Sequence, residues 1–230
     1  FIMTSDRSEM SAWGDDSLTR NQLAWVQQEA QEVQRVLGVL AAALNDRQPS
    51  VADIGCGDAR IAARLHSLHQ YVGFDIDAAV IDENRTRRES DWISFWNAGD
   101  FRETLPAAIK QRGRPFDLVI MTGNTLGTLG GDPTETLRVL AAHGDAMLVS
   151  VVQNQPEVTI ERLRYYQKNG FNCCVNWTTG TITSEFCGGS FAWSRHRLTE
   201  LGSSLRDLGH SWVEVREVPP LGYALVTRRK

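Results

Sequence analysis

Asp53-Ile54-Gly55-Cys56-Gly57 follows directly on a short apolar run and precedes a stretch with helical spacing. Two glycines at such a turn let the backbone approach a ligand closely, and the amides opening a helix favour an anionic group. The pattern departs from the dinucleotide fingerprint GxGxxG, whose third glycine is replaced here by Arg60 and which has no acid two residues before its first glycine. A second acid, Asp75, ends the next apolar run twenty residues after Gly55, with Ile76 behind it. A carboxylate at that place can accept hydrogen bonds from both hydroxyls of a ribose. A third run ends in Asn97-Ala98-Gly99-Asp100-Phe101, where the acid can accept from an adenine amino group and the ring can cover the base. A fourth begins Phe116-Asp117 and ends in Gly123-Asn124-Thr125.

These turns need a scaffold that brings them to one edge. Asn21 to Asn45 repeats Val26, Ala30, Val33, Leu37 and Leu40 at helical spacing, which predicts a long amphipathic helix. Strands are predicted at Val51–Ile54, Tyr71–Phe74, Ser94–Ala98, Phe116–Met121 and Ala146–Val152. Helices are predicted between them at Ala59–Leu68, Ala78–Arg88, Leu105–Gln111 and Thr134–Ala142. Apolar strands separated by helices indicate an α/β fold, a doubly wound, mostly parallel sheet with helices on both faces. Beyond Val152 come a helix over Glu157–Lys168, a hairpin of Phe171–Trp177 with Thr181–Phe186, and a helix over Arg195–Leu208. Trp212–Val218 and Tyr223–Val226 close the chain as an antiparallel pair around Pro219 to Gly222.

Length and composition set the bounds. The 230 residues, 42% hydrophobic and 23% charged, suit one domain. It divides into an N-terminal helical cap (1–48), a cofactor-binding core (49–152) and a substrate-side insertion with closing strands (153–230). A net charge of -4 disfavours a nucleic-acid partner, and the longest apolar run, Val36 to Leu44, is far short of a membrane span. Phe1-Ile2 reads as a leftover ahead of Met3, the expected native start, and the N-terminal stretch lacks a signal-peptide pattern. Cysteines 56, 173, 174 and 187 form no CxxC pair, so reduced thiols in a cytoplasmic protein are expected, and no metal.

The ordered set DxGxG, acid after strand two, Gly-Asp after strand three and terminal strand pair resembles the class I S-adenosylmethionine-dependent methyltransferases. The resemblance runs from about Pro49 to Lys230. It implies a Rossmann-like, seven-stranded sheet of order 3-2-1-4-5-7-6 with strand seven antiparallel. It also implies S-adenosylmethionine as cofactor and S-adenosylhomocysteine as product. Cofactor contacts are then expected from Asp53, Gly55, Cys56, Gly57, Asp75, Ile76, Gly99, Asp100, Phe101, Gly123 and Asn124. Asn124 is expected near the transferred methyl, and the Thr122–Gly127 loop is similar to one in small-molecule N-methyltransferases.

Transfer from a sulfonium is an in-line displacement driven by alignment, so the acceptor is not encoded in the cofactor site. Walls for a small-molecule acceptor are expected from Trp13, Thr125, Trp177, Trp193 and Arg195, with His196 as a candidate base. Trp25, Trp92, Trp96 and Trp212 read as core. Two other readings are an RNA methyltransferase of the same fold and a non-catalytic binding domain. The charge balance and the lack of an Asn-Pro-Pro-Tyr or Asp-Pro-Pro-Tyr motif oppose the former. A nicotinamide oxidoreductase would want the missing third glycine.

Overall fold

Alternation of side chains along five parallel strands builds two cores at once. In the computed structural model, which describes residues 15–45, 47–66, 70–185 and 188–229, these are β1 (Ser50–Ile54), β2 (Gln70–Phe74), β3 (Ile93–Phe95), β4 (Phe116–Met121) and β5 (Gly144–Val152). Leu118, Ile120, Ala146 and Leu148 point to one face, and Val119, Met121, Met147 and Val149 to the other. Full burial of each Leu or Ile contributes roughly 1.5–3 kcal/mol.

Helix α1 (Arg20–Ala43) covers the first face together with α2 (Ala78–Arg88). Thr19 starts α1 through a capping box with Gln22. The second face is covered by α3 (Phe101–Arg112), α5 (Pro133–His143) and α7 (Arg195–Ser203). A short α4 (Thr125–Thr128) follows β4, and α6 (Pro156–Lys168) follows β5. Strands β6 (Cys173–Asn176) and β7 (Thr181–Ser184) form a separate hairpin.

The main sheet runs β3-β2-β1-β4-β5-β9-β8, with β8 (His210–Val218) and β9 (Gly222–Arg229) closing it. Strand β9 is antiparallel to both β5 and β8. With the hairpin strands set aside, this is the order 3-2-1-4-5-7-6 that the motif resemblance implies. Parallel strands align their carboxyl ends, so the loops after β1, β2, β3, β4 and β5 share one edge. No helix among the described residues is long and apolar enough to cross a membrane.

Several expectations change. The helix predicted over Ala59–Leu68 is only a 3-10 turn, Ala62–Arg64, among its described residues. Ala59 takes a left-handed φ of 52° and Leu65 is extended, so the segment is broken at both ends. The glycine loop therefore does not open a regular helix. Helix α3 begins at Phe101 rather than Leu105, because Asp100 caps it with a 2.8 Å bond from the Arg102 amide. Helix α7 stops at Ser203, and a separate 3-10 turn precedes left-handed Gly209. Trp212 is not core: it lies partly exposed on β8, with the Arg228 guanidinium 5.4 Å from its ring centre.

His210 staples α5 to the closing strands. Its ring is fully buried between Thr227 Oγ1 (2.8 Å) and the Ala141 carbonyl (2.9 Å), and burial lowers its pKa despite the Ala141 bond. Neutral His210 thus stabilises the fold, and that contribution declines as pH falls below the unfolded value near ~6.5 and through the lower folded one. Urea unfolding at pH 7.5 and 5.5 should show the wild type losing stability relative to His210→Gln over that range. An unchanged difference would contradict this role.

Candidate active site

The loop after β1 is shaped by two left-handed glycines, Gly55 (φ 71°) and Gly57 (φ 51°). A Cβ on Gly55 would lie 2.6 Å from Thr125 Cγ2, so the glycine also allows the turn after β4 to close against this loop. The Gly55 and Cys56 amides both donate to the Phe74 carbonyl, at 2.8 and 3.0 Å. Asn84, buried on α2, donates 2.6 Å to the Gly57 carbonyl. The Cys56 side chain turns into the core, leaving only its backbone on the loop.

Asp75 closes the loop from the next strand. Its Oδ2 accepts from the Gly57 amide (3.0 Å) and its Oδ1 from the Asp77 amide (3.1 Å). Burial raises its pKa, while those amides hold it back. The Gly99 amide donates 3.1 Å to the Asp75 carbonyl, bringing the turn after β3 to the same place. Ile76 stands 76% exposed beside it.

Asp53, at 1% exposure, receives 2.6 Å from the Tyr71 hydroxyl on Oδ2, and its Oδ1 is buried without a partner. Burial pushes its carboxyl up to about 7, with Asp75, Glu29 and Asp58 adding repulsion. Arg60 donates 2.8 Å from Nε to Asp58, and its Nη2 is also buried and unpartnered. Glu29 reaches the same edge from α1. Its Oε1 accepts from the Gly123 amide (2.9 Å) and from the Ser150 hydroxyl, and burial pushes it up to about 7.

Residues 52–144, fewer than half of the chain, match the family described as a methyltransferase domain. The chain has the Rossmann-like methyltransferase fold. Its fold is similar to that of magnesium protoporphyrin IX methyltransferase (ChlM) from Synechocystis PCC 6803 with bound SAH, at 16% identity, 96% coverage of this chain, 92% of that one and a TM-score of 0.60. The methyltransferase domain of bacterial CtHen1-CN aligns at 15% identity, 89% and 99% coverage and a TM-score of 0.61. The Burkholderia thailandensis 1,6-didemethyltoxoflavin-N1-methyltransferase, bound to 1,6-didemethyltoxoflavin and S-adenosylhomocysteine, aligns at 14%, 89% and 78%, with a TM-score of 0.52. At these identities the likeness is one of fold. Sequence comparison with curated proteins gives no match.

The structure brings Asp53, Gly55, Gly57, Asp75 and Gly99 together with Gly123 at one edge of the sheet. Phe101 is a correction: at 6% exposure it lies in the core under α3, so its ring does not cover a ligand. Asp100 is half-exposed, with one oxygen capping α3 and both near Arg102. Asn124 is a second correction. Its Nδ2 donates to Ser190 Oγ and the Phe191 carbonyl, both at 3.1 Å, and its Oδ1 accepts 3.2 Å from the Val152 amide. It is a clamp between β4, β5 and the insertion, held in a left-handed backbone (φ 63°) that asparagine tolerates.

Of the residues expected to wall an acceptor, Thr125 bonds the Thr122 carbonyl (2.7 Å) and packs its methyl on Gly55. Trp193 is buried, its amide on the Val152 carbonyl (2.9 Å) and its Nε1 unpartnered. Trp177 is exposed beyond β6. Arg195 is a correction as a wall residue, since its guanidinium donates 2.7 Å to the Val215 carbonyl on β8. His196 is a correction as a base: its side chain is 84% exposed and paired with Glu200 at 3.2 Å. Trp13 lies outside the described residues.

Sequence reasoning missed Glu29, Arg60 and Asn84 as site residues. The one legible signal was Glu29, a charge on the apolar face of α1, one helical turn beyond Trp25. If Asn124 is a clamp, Asn124→Ala should lower unfolding free energy by about 2–4 kcal/mol, through three lost bonds and a disfavoured backbone. Chemical denaturation measures it, and a loss below about 0.5 kcal/mol would refute the clamp.

Proposed function

We propose that this chain transfers a methyl group from S-adenosylmethionine to a small-molecule acceptor, an amine or aromatic metabolite. The carrying observation is the pair of buried, unpartnered groups of opposite charge, Asp53 Oδ1 and Arg60 Nη2, beside the glycine loop. An amino-acid end bears an ammonium and a carboxylate, which this pair complements. The cradle at Gly55, which a Cβ would obstruct, and the acid after β2 fit the rest of the cofactor.

In this reading Asp53 Oδ1 accepts from the methionyl ammonium and Arg60 Nη2 donates to the carboxylate. Asp75 accepts from the ribose hydroxyls while keeping its amide bonds to Gly57 and Asp77. Asp100 accepts from the adenine amino group, and Ile76, the exposed apolar side chain at that edge, lies against the base. Bound there, S-adenosylmethionine supplies a methyl group on a sulfonium, already activated for in-line displacement by a nucleophile.

The protein's part is alignment and exclusion of water. Asn124 positions the turn after β4 against β5 and the insertion. Trp193 backs that turn, and the exposed ring of Trp177 offers one acceptor contact. The cap, core and insertion act as one domain, since Glu29 from the cap and Asn124 from the core each bond another region. Support for a small acceptor comes from the net charge of -4 and from relatives in fold named for porphyrin and toxoflavin-precursor methylation.

Calorimetric titration with S-adenosylmethionine should show binding, with Asp75→Ala and Arg60→Met each weakening it at least tenfold in folded protein. A tritiated-methyl assay over small-molecule and RNA pools should label the small-molecule pool. No binding would overturn the cofactor reading, and label confined to RNA would overturn the acceptor class.

A further inference from the structure

Glu29 is the only acid among the buried residues of α1, and it stands at the centre of the strand-end edge. Its Oε1 holds the turn after β4 through the Gly123 amide and β5 through Ser150, while Oε2 takes no bond from the described residues. Asp53, from the end of β1, is close enough for the two acids to repel each other. Asp53 is itself buried, with Tyr71 from β2 on Oδ2 and nothing on Oδ1. Asp58 and Asp75 add negative charge around Asp53, and Cys56 lies beside it. Arg60 is the cation that faces Glu29.

Two buried carboxyls with so little countercharge are stabilised either by protons or by an added cation. We propose that Glu29 and Asp53 form a proton-exchanging acid pair through which the site distinguishes the positively charged sulfonium cofactor from its thioether product. The proposal rests on the methyl-transfer reading above. Both carboxyls sit near pH 7 in the free protein, each part protonated at neutral pH. A cation placed against them favours their ionised forms, and the displaced proton leaves to solvent. The thioether product carries the same amino-acid end with one positive charge fewer, so it discharges Asp53 alike and Glu29 less.

The sign follows from linkage: binding that releases protons strengthens as pH rises. Between pH 6 and 7.5, each carboxyl that binding fully deprotonates strengthens affinity about five- to tenfold. The ratio of cofactor to product affinity rises in the same direction. Glu29 acts here through charge, without contact with the cofactor.

Calorimetric titration of S-adenosylmethionine and S-adenosylhomocysteine into the full chain, in phosphate and in Tris at pH 6.8, counts the protons exchanged. The cofactor should release about one-half to one proton more than the product. Glu29→Gln keeps the acceptor for Gly123 and should at least halve that difference with both ligands still bound. Where that variant does not fold, Ser150→Ala removes a hydroxyl that favours ionised Glu29 and should enlarge the difference. Equal proton counts for the two ligands overturn the proposal, as does a difference unchanged in the folded variant. Absence of binding by either ligand overturns the cofactor reading together with it, so the two failures are told apart.

Discussion

A carboxyl buried at the end of a parallel strand must find donors, a proton or a cation, and this constraint organises the whole strand-end edge. Asp75 finds the Gly57 and Asp77 amides, which fixes the glycine loop against the end of β2. Asp53 finds the Tyr71 hydroxyl on one oxygen only. Glu29 finds Gly123 and Ser150, which fixes α1 against β4 and β5. Asp75 and Glu29 therefore tether elements that the sheet alone leaves independent, while Asp53 adds a side-chain bond between the paired strands β1 and β2. Those bonds offset only part of the cost of burying the acids, and Asp53 Oδ1 is left over.

The parallel core was legible because β1, β2, β4 and β5 are apolar on both faces, a pattern that only a doubly covered sheet explains. The loop acids were legible because each follows a strand directly. Phe101 was misread because a ring after a strand can turn either way, and here the first turn of α3 swings it inward. Arg60 was noted only as a missing glycine. Its meaning depends on Asp58 holding its Nε and leaving Nη2 over, a matter of three-dimensional direction rather than spacing. The short turn after the glycine loop was hidden for a similar reason. Ala59 is a strong helix former by type, and its left-handed backbone is imposed by the loop around it.

The insertion between α6 and α7 is held by a different device. Residues 188–193 belong to no named strand, yet the Phe191 amide bonds the Gly127 carbonyl and the Trp193 amide bonds the Val152 carbonyl, both at 2.9 Å. Arg162, buried on α6, donates to the Gly180 carbonyl (2.7 Å), the Ser190 carbonyl (2.6 Å) and Ser190 Oγ (2.8 Å). Such charge-assisted bonds are worth about 1.5–3 kcal/mol each, enough to hold a segment that has no ladder of its own. The guanidinium thus pins the hairpin turn and the returning strap to one helix, and Asn124 pins that strap to the turn after β4. The same strap leaves the Phe191 ring 48% exposed. An apolar ring on a backbone fixed at both ends has little freedom to hide, so solvent exposure there is built into the scaffold. The glycine-loop side of the edge is set by acids and the insertion side by one arginine and one asparagine. Side chains carried by the insertion can therefore vary without disturbing the glycine loop and the acids around it.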